Sequence, residues 1–118
     1  MAYFPDLYIS GTVVRIGWLD RNEPFNRGAV DPVFLEKLKS YYAARVHQTR
    51  GFHMCPFCKQ RRFGLPIEID GKTLTLGSAE IEVATGHGRT YRAPDMLYHY
   101  IVEHQYSPPQ EFIEAVCR

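Results

Sequence analysis

Two cysteines and two histidines carry the clearest chemistry in this chain. Cys55 and Cys58 lie in Gly51-Phe-His-Met-Cys-Pro-Phe-Cys58 with two residues between them; His99 and His104 lie in Tyr98-His-Tyr-Ile-Val-Glu-His104 with four between. Thiolates and neutral imidazoles are the donors Zn²⁺ prefers, and these spacings are those of a tetrahedral site. The histidines carry a geometric condition. Residues five apart on an ideal helix are turned about 140° from each other, so both reach one ion only if the helix loosens or tightens near its end. The stretch from Gln105 to Pro108 offers that freedom, because a proline disfavours helix at the residue before it. His53, two residues before Cys55, is the alternative ligand and can replace either helical histidine. His87 sits between two glycines in a turn and is expected to be exposed. His47 follows a helix end, and Cys117 reads as a small hydrophobe or a terminal thiol.

Other chemistries fit less well. Cys-Pro-Phe-Cys also resembles a glutaredoxin dithiol, but that motif needs an apolar strand before it and a helix after it. Here Gln48-Thr-Arg-Gly51 precedes, and Gly64 and Pro66 follow too soon for a helix. Catalytic zinc would leave one position to water with a carboxylate as base, and Glu103, next to His104, points about 100° away on a helix. Thr85-Gly-His-Gly-Arg-Thr90 lacks the Gly-Lys-Ser/Thr ending of a phosphate loop and reads as a hairpin turn. No serine has a nucleophile-elbow setting, and Glu80 and Glu82 fall on the outer face of a strand. The expected metal is therefore a closed, structural Zn²⁺, with no catalytic residues.

Composition bounds the rest. The chain has 118 residues, with eight Tyr, seven Phe and one Trp, which suits one domain over 1–118 able to bury a core. No apolar run is long enough to span a bilayer. Met1-Ala-Tyr-Phe-Pro-Asp6 has no basic start or apolar stretch, and three cysteines make no disulfide framework; a reducing cytoplasm is the expected compartment. Net charge is only +1, yet between Glu36 and Glu68 there is no acid while Lys37, Lys39, Arg45, Arg50, Lys59, Arg61 and Arg62 all fall there. That segment is the candidate nucleic-acid surface, chiefly Arg45, Arg50, Lys59, Arg61 and Arg62, with Phe57 or Phe63 for stacking. The simpler reading is a solvated helix face and an exposed basic loop.

The elements that must position these residues follow from pattern. Thr12 to Trp18 has strand character, and Leu19 to Val30 is rich in turn formers. Asp31-Pro32 predicts a helix start, Asp31 as cap and Pro32 at the first position; Phe34, Leu35, Leu38, Tyr41, Tyr42 and Val46 recur at helical spacing, ending near Arg45. His47 to Arg62 reads as a loop or knuckle. Pro66 to Ile69 and Thr73 to Leu76 alternate around Asp70-Gly71, a strong hairpin signal. Glu80 to Val83 and a short Thr90-Tyr91 extension complete a predicted antiparallel meander. Pro94 and Asp95 predict the start of a second helix, with Leu97, Tyr98, Ile101 and Val102 as its apolar face, and Gln110 to Val116 predicts a third. The expected fold is α+β: a small antiparallel meander against two or three helices, stapled by zinc.

A set of segments extends over nearly the full length: Gly17-Trp-Leu-Asp20, Pro24-Phe25, Thr49-Arg-Gly-Phe-His-Met-Cys-Pro-Phe-Cys58, Gly77-Ser-Ala-Glu-Ile81, Tyr91-Arg-Ala-Pro94, Tyr98-His-Tyr-Ile101, His104, Tyr106, Pro108-Pro109 and Glu111-Phe-Ile113. Together they resemble a family of small, functionally uncharacterised bacterial proteins. The resemblance implies that the cysteine pair and the histidine helix form one unit, and suggests toxin-neutralising immunity proteins among its members. The expected function is a non-catalytic, zinc-binding module for a protein partner, a cognate toxin being the specific form; the alternative is nucleic-acid binding through the basic segment.

Overall fold

Alternating apolar residues and turn formers divide the chain into six strands and three helices among the residues that the computed structural model describes, 3–48, 54–58 and 64–118. Strand β1 (Tyr8–Ser10) turns back antiparallel onto β2 (Val13–Arg15), and β2 runs parallel to β6 (Thr90–Pro94). Strand β5 (Glu80–Ala84) pairs antiparallel with β6, giving one sheet in the order β1-β2-β6-β5. Strands β3 (Leu65–Ile69) and β4 (Lys72–Leu76) form a separate hairpin. Helices α1 (Pro32–Lys39), α2 (Leu97–His104) and α3 (Gln110–Cys117) complete an α+β architecture.

Several starts and stops obey local chemistry. The Asp31 side chain accepts from the Val33 amide at 2.8 Å, and Pro32 occupies the first helical position, where its missing N–H costs nothing. Helix α1 then tightens into a 3-10 segment, Ser40–Ala44, so the helical run does end just before Arg45. Asp70 and Gly71 both take positive φ, 52° and 77°, the twist a two-residue hairpin turn requires.

Three expectations change. The predicted meander is two antiparallel hairpins in different sheets: Gly77 to Ala79 separates them, β5 does not pair with β4, and β6 takes β2 as its second neighbour. Pro94 ends strand β6 and does not open α2, which begins at Leu97. The reason is Asp95. It is buried, accepting from the Gly77 amide at 2.7 Å and from Arg45 Nη1 at 2.9 Å, so it links the two hairpins to the 3-10 segment and leaves the helix start uncapped by its side chain. The inner face of α2 is Leu97, Tyr100 and Ile101, while Val102 is 46% exposed.

One continuous core joins these parts. Phe112 of α3 meets Phe34 of α1 and Tyr91 of β6 edge-on, with centroids 6.1 and 5.5 Å apart. Leu38, Ile81, Val83, Leu97 and Ile101 fill the space around them, each such burial worth roughly 1.5–3 kcal/mol. Tyr42 locks the 3-10 segment to α2: its hydroxyl donates to the Asp95 carbonyl and accepts from the Tyr98 amide, both at 2.9 Å.

Candidate metal centre

The knuckle and α2 meet at the four residues singled out by spacing. Cys55 Sγ lies 3.3 Å from His104 Nε2; Cys58 Sγ lies 3.2 Å from His99 Nε2 and 3.6 Å from His104 Nε2. All four candidate ligand atoms fall within 4.8 Å of one another. Zn–S of about 2.3 Å and Zn–N of about 2.0–2.1 Å at a tetrahedral angle separate sulfur from nitrogen by about 3.5 Å. The set therefore fits one ion.

The last turn of α2 meets the geometric condition. The Gln105 amide reaches back to the Tyr100 carbonyl, five residues instead of the usual four, and the Tyr106 amide shares that carbonyl at 3.1 Å. Gln105 itself is left-handed, φ 59°. A turn widened by one residue brings His99 and His104 toward one face, and their ring centroids stand 5.0 Å apart. Beyond the helix, the chain is laced to the loop before α1: Ser107 N donates to Asn26 O, Gly28 N donates to Gln105 O, and Arg27 bridges to Tyr106.

Aromatic packing fixes the knuckle. Phe57 lies against Phe25, Tyr100 and His104, at centroid distances of 5.1, 5.9 and 5.4 Å. Phe25 in turn packs on Tyr106, and the Tyr106 hydroxyl donates to Asp6 at 2.7 Å. This is the support that spacing alone does not show; Pro24-Phe25 was the sequence signal for it.

Burial sets the electrostatics. Cys55 is 2% exposed, and desolvation pushes its thiol up to about 11. Burial holds both His99 and His104 below the usual imidazole value, with the neighbouring His104 reinforcing the effect on His99. The imidazoles are thus held in the neutral form a metal needs, while the Cys55 proton must leave on binding, a step a divalent cation drives. The Tyr100 hydroxyl is fully buried with no hydrogen-bond partner among the described residues, and the cysteine pair lies near enough to raise its pKa after burial itself.

The remaining candidates are placed as follows. His53 lies outside the described residues, as do Arg50, Lys59, Arg61, Arg62 and Phe63. Arg45 is not a free surface charge: Nη1 binds both Asp95 and the Thr75 carbonyl, at 2.9 and 2.8 Å. Phe57 is committed to the knuckle. His87 is exposed in the β5–β6 turn, and Cys117 is partly buried at the end of α3.

A family model for a domain of unknown function, DUF7919, matches residues 2–117. The chain belongs to this family. No curated protein and no solved structure matches it significantly. The family match covers the knuckle, α2 and the loop that packs on them, so the candidate ligands and their supporting aromatics fall within one domain family.

Proposed function

We propose that this protein is a non-catalytic module for a protein partner, folded around a structural Zn²⁺ held by Cys55, Cys58, His99 and His104. The observation that carries the reading is the closed ligand set: two thiols and two imidazoles converge within 4.8 Å. Two thiolates with two imidazoles are a donor set that suits zinc, and four protein ligands would leave no position for water or substrate. Such a metal cross-links the knuckle to α2 and contributes its binding energy directly to folding.

Binding to a partner is supported by the apolar side chains left at the surface, Tyr8, Ile9, Val33 and Val102 among them. Neutralisation of a toxin, suggested by the family resemblance, is the specific form of this role. The test is co-purification of the tagged chain with the product of the adjacent gene. Retention of that product by the wild type, and its loss in a Cys55→Ser/Cys58→Ser variant, is the expected result. Repeated failure of the wild type to retain it would count against the partner reading while leaving the metal untouched.

A further inference from the structure

A second site lies away from the metal centre, between β1, the β5–β6 turn and α3. Its cavity of about 230 Å³ is bounded by Leu7, Ile9, Val14, Tyr91 and Ala115, with His87, Arg89, Arg118 and Glu111 at its polar side. Ile9 of β1 and Leu7, in the turn just before it, both line the cavity, while Tyr8 packs on Phe4 with centroids 5.2 Å apart. Leu7 and Ile9 remain 38% and 49% exposed, and Leu7 takes φ 68° at the third position of the turn that the Tyr8 amide closes onto the Pro5 carbonyl. Among the described residues no element covers these apolar walls.

The polar rim is fixed in place. Thr85 Oγ1 donates to the Arg89 carbonyl at 2.8 Å and accepts from the His87 amide at 3.0 Å, closing the turn. Arg118 Nη1 donates to the Thr85 carbonyl at 3.1 Å, joining α3 to that turn. Among the described residues neither Arg89 nor Arg118 has a carboxylate within ion-pair distance. Glu111 is the one acid in the lining, and it sits near the Tyr91 phenol, whose pKa burial first and Glu111 second push up. Two guanidinium side chains therefore line the cavity without an ion-pair partner among the described residues, which suits an anionic head.

We infer that this cavity binds a small carboxylate with an apolar body, such as a short acyl or single-ring acid, its head on Arg89 and Arg118 and its body on Leu7 and Ile9. The volume admits roughly eight water-sized groups, which suits a small molecule and excludes a folded segment. A planar carboxylate also matches the fork of a guanidinium better than a spherical ion does. The inference is independent of the metal, since no ligand of that site lines the cavity.

The experiment is an amide-shift NMR titration of the full chain with hexanoate, with hexan-1-ol and hexylamine as chain-matched controls. The expected result is saturable shifts at Leu7, Ile9, Thr85 and Arg89 with hexanoate alone. Arg89→Gln should weaken hexanoate about tenfold, as expected for loss of a charge-assisted hydrogen bond. Ile9→Ser, at an exposed edge position, should weaken it while leaving the fold intact. No saturable shift in the wild type, or equal binding of hexan-1-ol, would overturn the proposal. So would binding of a short peptide through its terminal carboxylate without binding of hexanoate, which would make the cavity a peptide-end site.

Discussion

At the scale of single residues, the site divides into candidate ligands that spacing identifies and supports that it does not. Cys55, Cys58, His99 and His104 announce themselves because donor chemistry and gap length are both constrained. Tyr100 does not, because nothing in the sequence says which α2 tyrosine turns inward or what its hydroxyl will meet. That hydroxyl and the Tyr42 hydroxyl make opposite predictions. Tyr42 donates to one backbone group and accepts from another, so Tyr42→Phe should destabilise by about 1–3 kcal/mol by leaving buried groups unsatisfied. The Tyr100 hydroxyl has no partner among the described residues, so Tyr100→Phe should leave stability unchanged or raise it. Denaturant midpoints of the two variants, with the metal content held equal, check both signs. A Tyr100→Phe loss as large as that of Tyr42→Phe would show that the orphaned hydroxyl has a partner in solution.

At the scale of elements, local patterns located most strands and helices, and tertiary demands decided their ends. The Asp31 cap, the Asp70-Gly71 turn and α3 were legible because each depends on neighbours in sequence. The β2–β6 parallel pairing was not, since strands more than seventy residues apart carry no local sign of each other. Asp95 misled for the same reason: its helix-start signature is local, while its actual partners, Gly77 and Arg45, are remote. Strand β1 has only three residues, all exposed, and presents no buried alternation to read. Gly17 gives the sharpest test of how β2 leads into the core. It has φ 76°, its amide donates to Asp6 at 2.9 Å, and a Cβ there would stand 2.9 Å from Leu97 Cδ1. Gly11 has φ 63° but open space around it. Gly17→Ala should therefore cost more than Gly11→Ala, about 2–4 kcal/mol against about 1, read as the difference in thermal or urea midpoints. Equal losses would mean that Leu97 yields to the added methyl.

At the scale of the whole molecule, the α+β class followed from the sequence because helical and alternating stretches are both present and distinct. The division into a four-stranded mixed sheet and a free-standing hairpin did not follow, since it depends on which edges meet. A two-stranded hairpin is marginal by itself, and here β3–β4 is tied to the body through the Arg45 contact with Thr75 and the Gly77 contact with Asp95. The described knuckle residues, 54–58, form neither helix nor strand, and Phe57 packs them against Tyr100 and His104 of α2. The central claim, a closed zinc staple, is tested most directly by elemental analysis of the purified full chain, followed by thermal unfolding with and without a strong chelator. The account predicts about one zinc per chain and a large fall in melting temperature, with loss of near-ultraviolet circular dichroism, once the metal is removed. A metal-free chain that keeps its fold and melts at the same temperature with or without added zinc would contradict it.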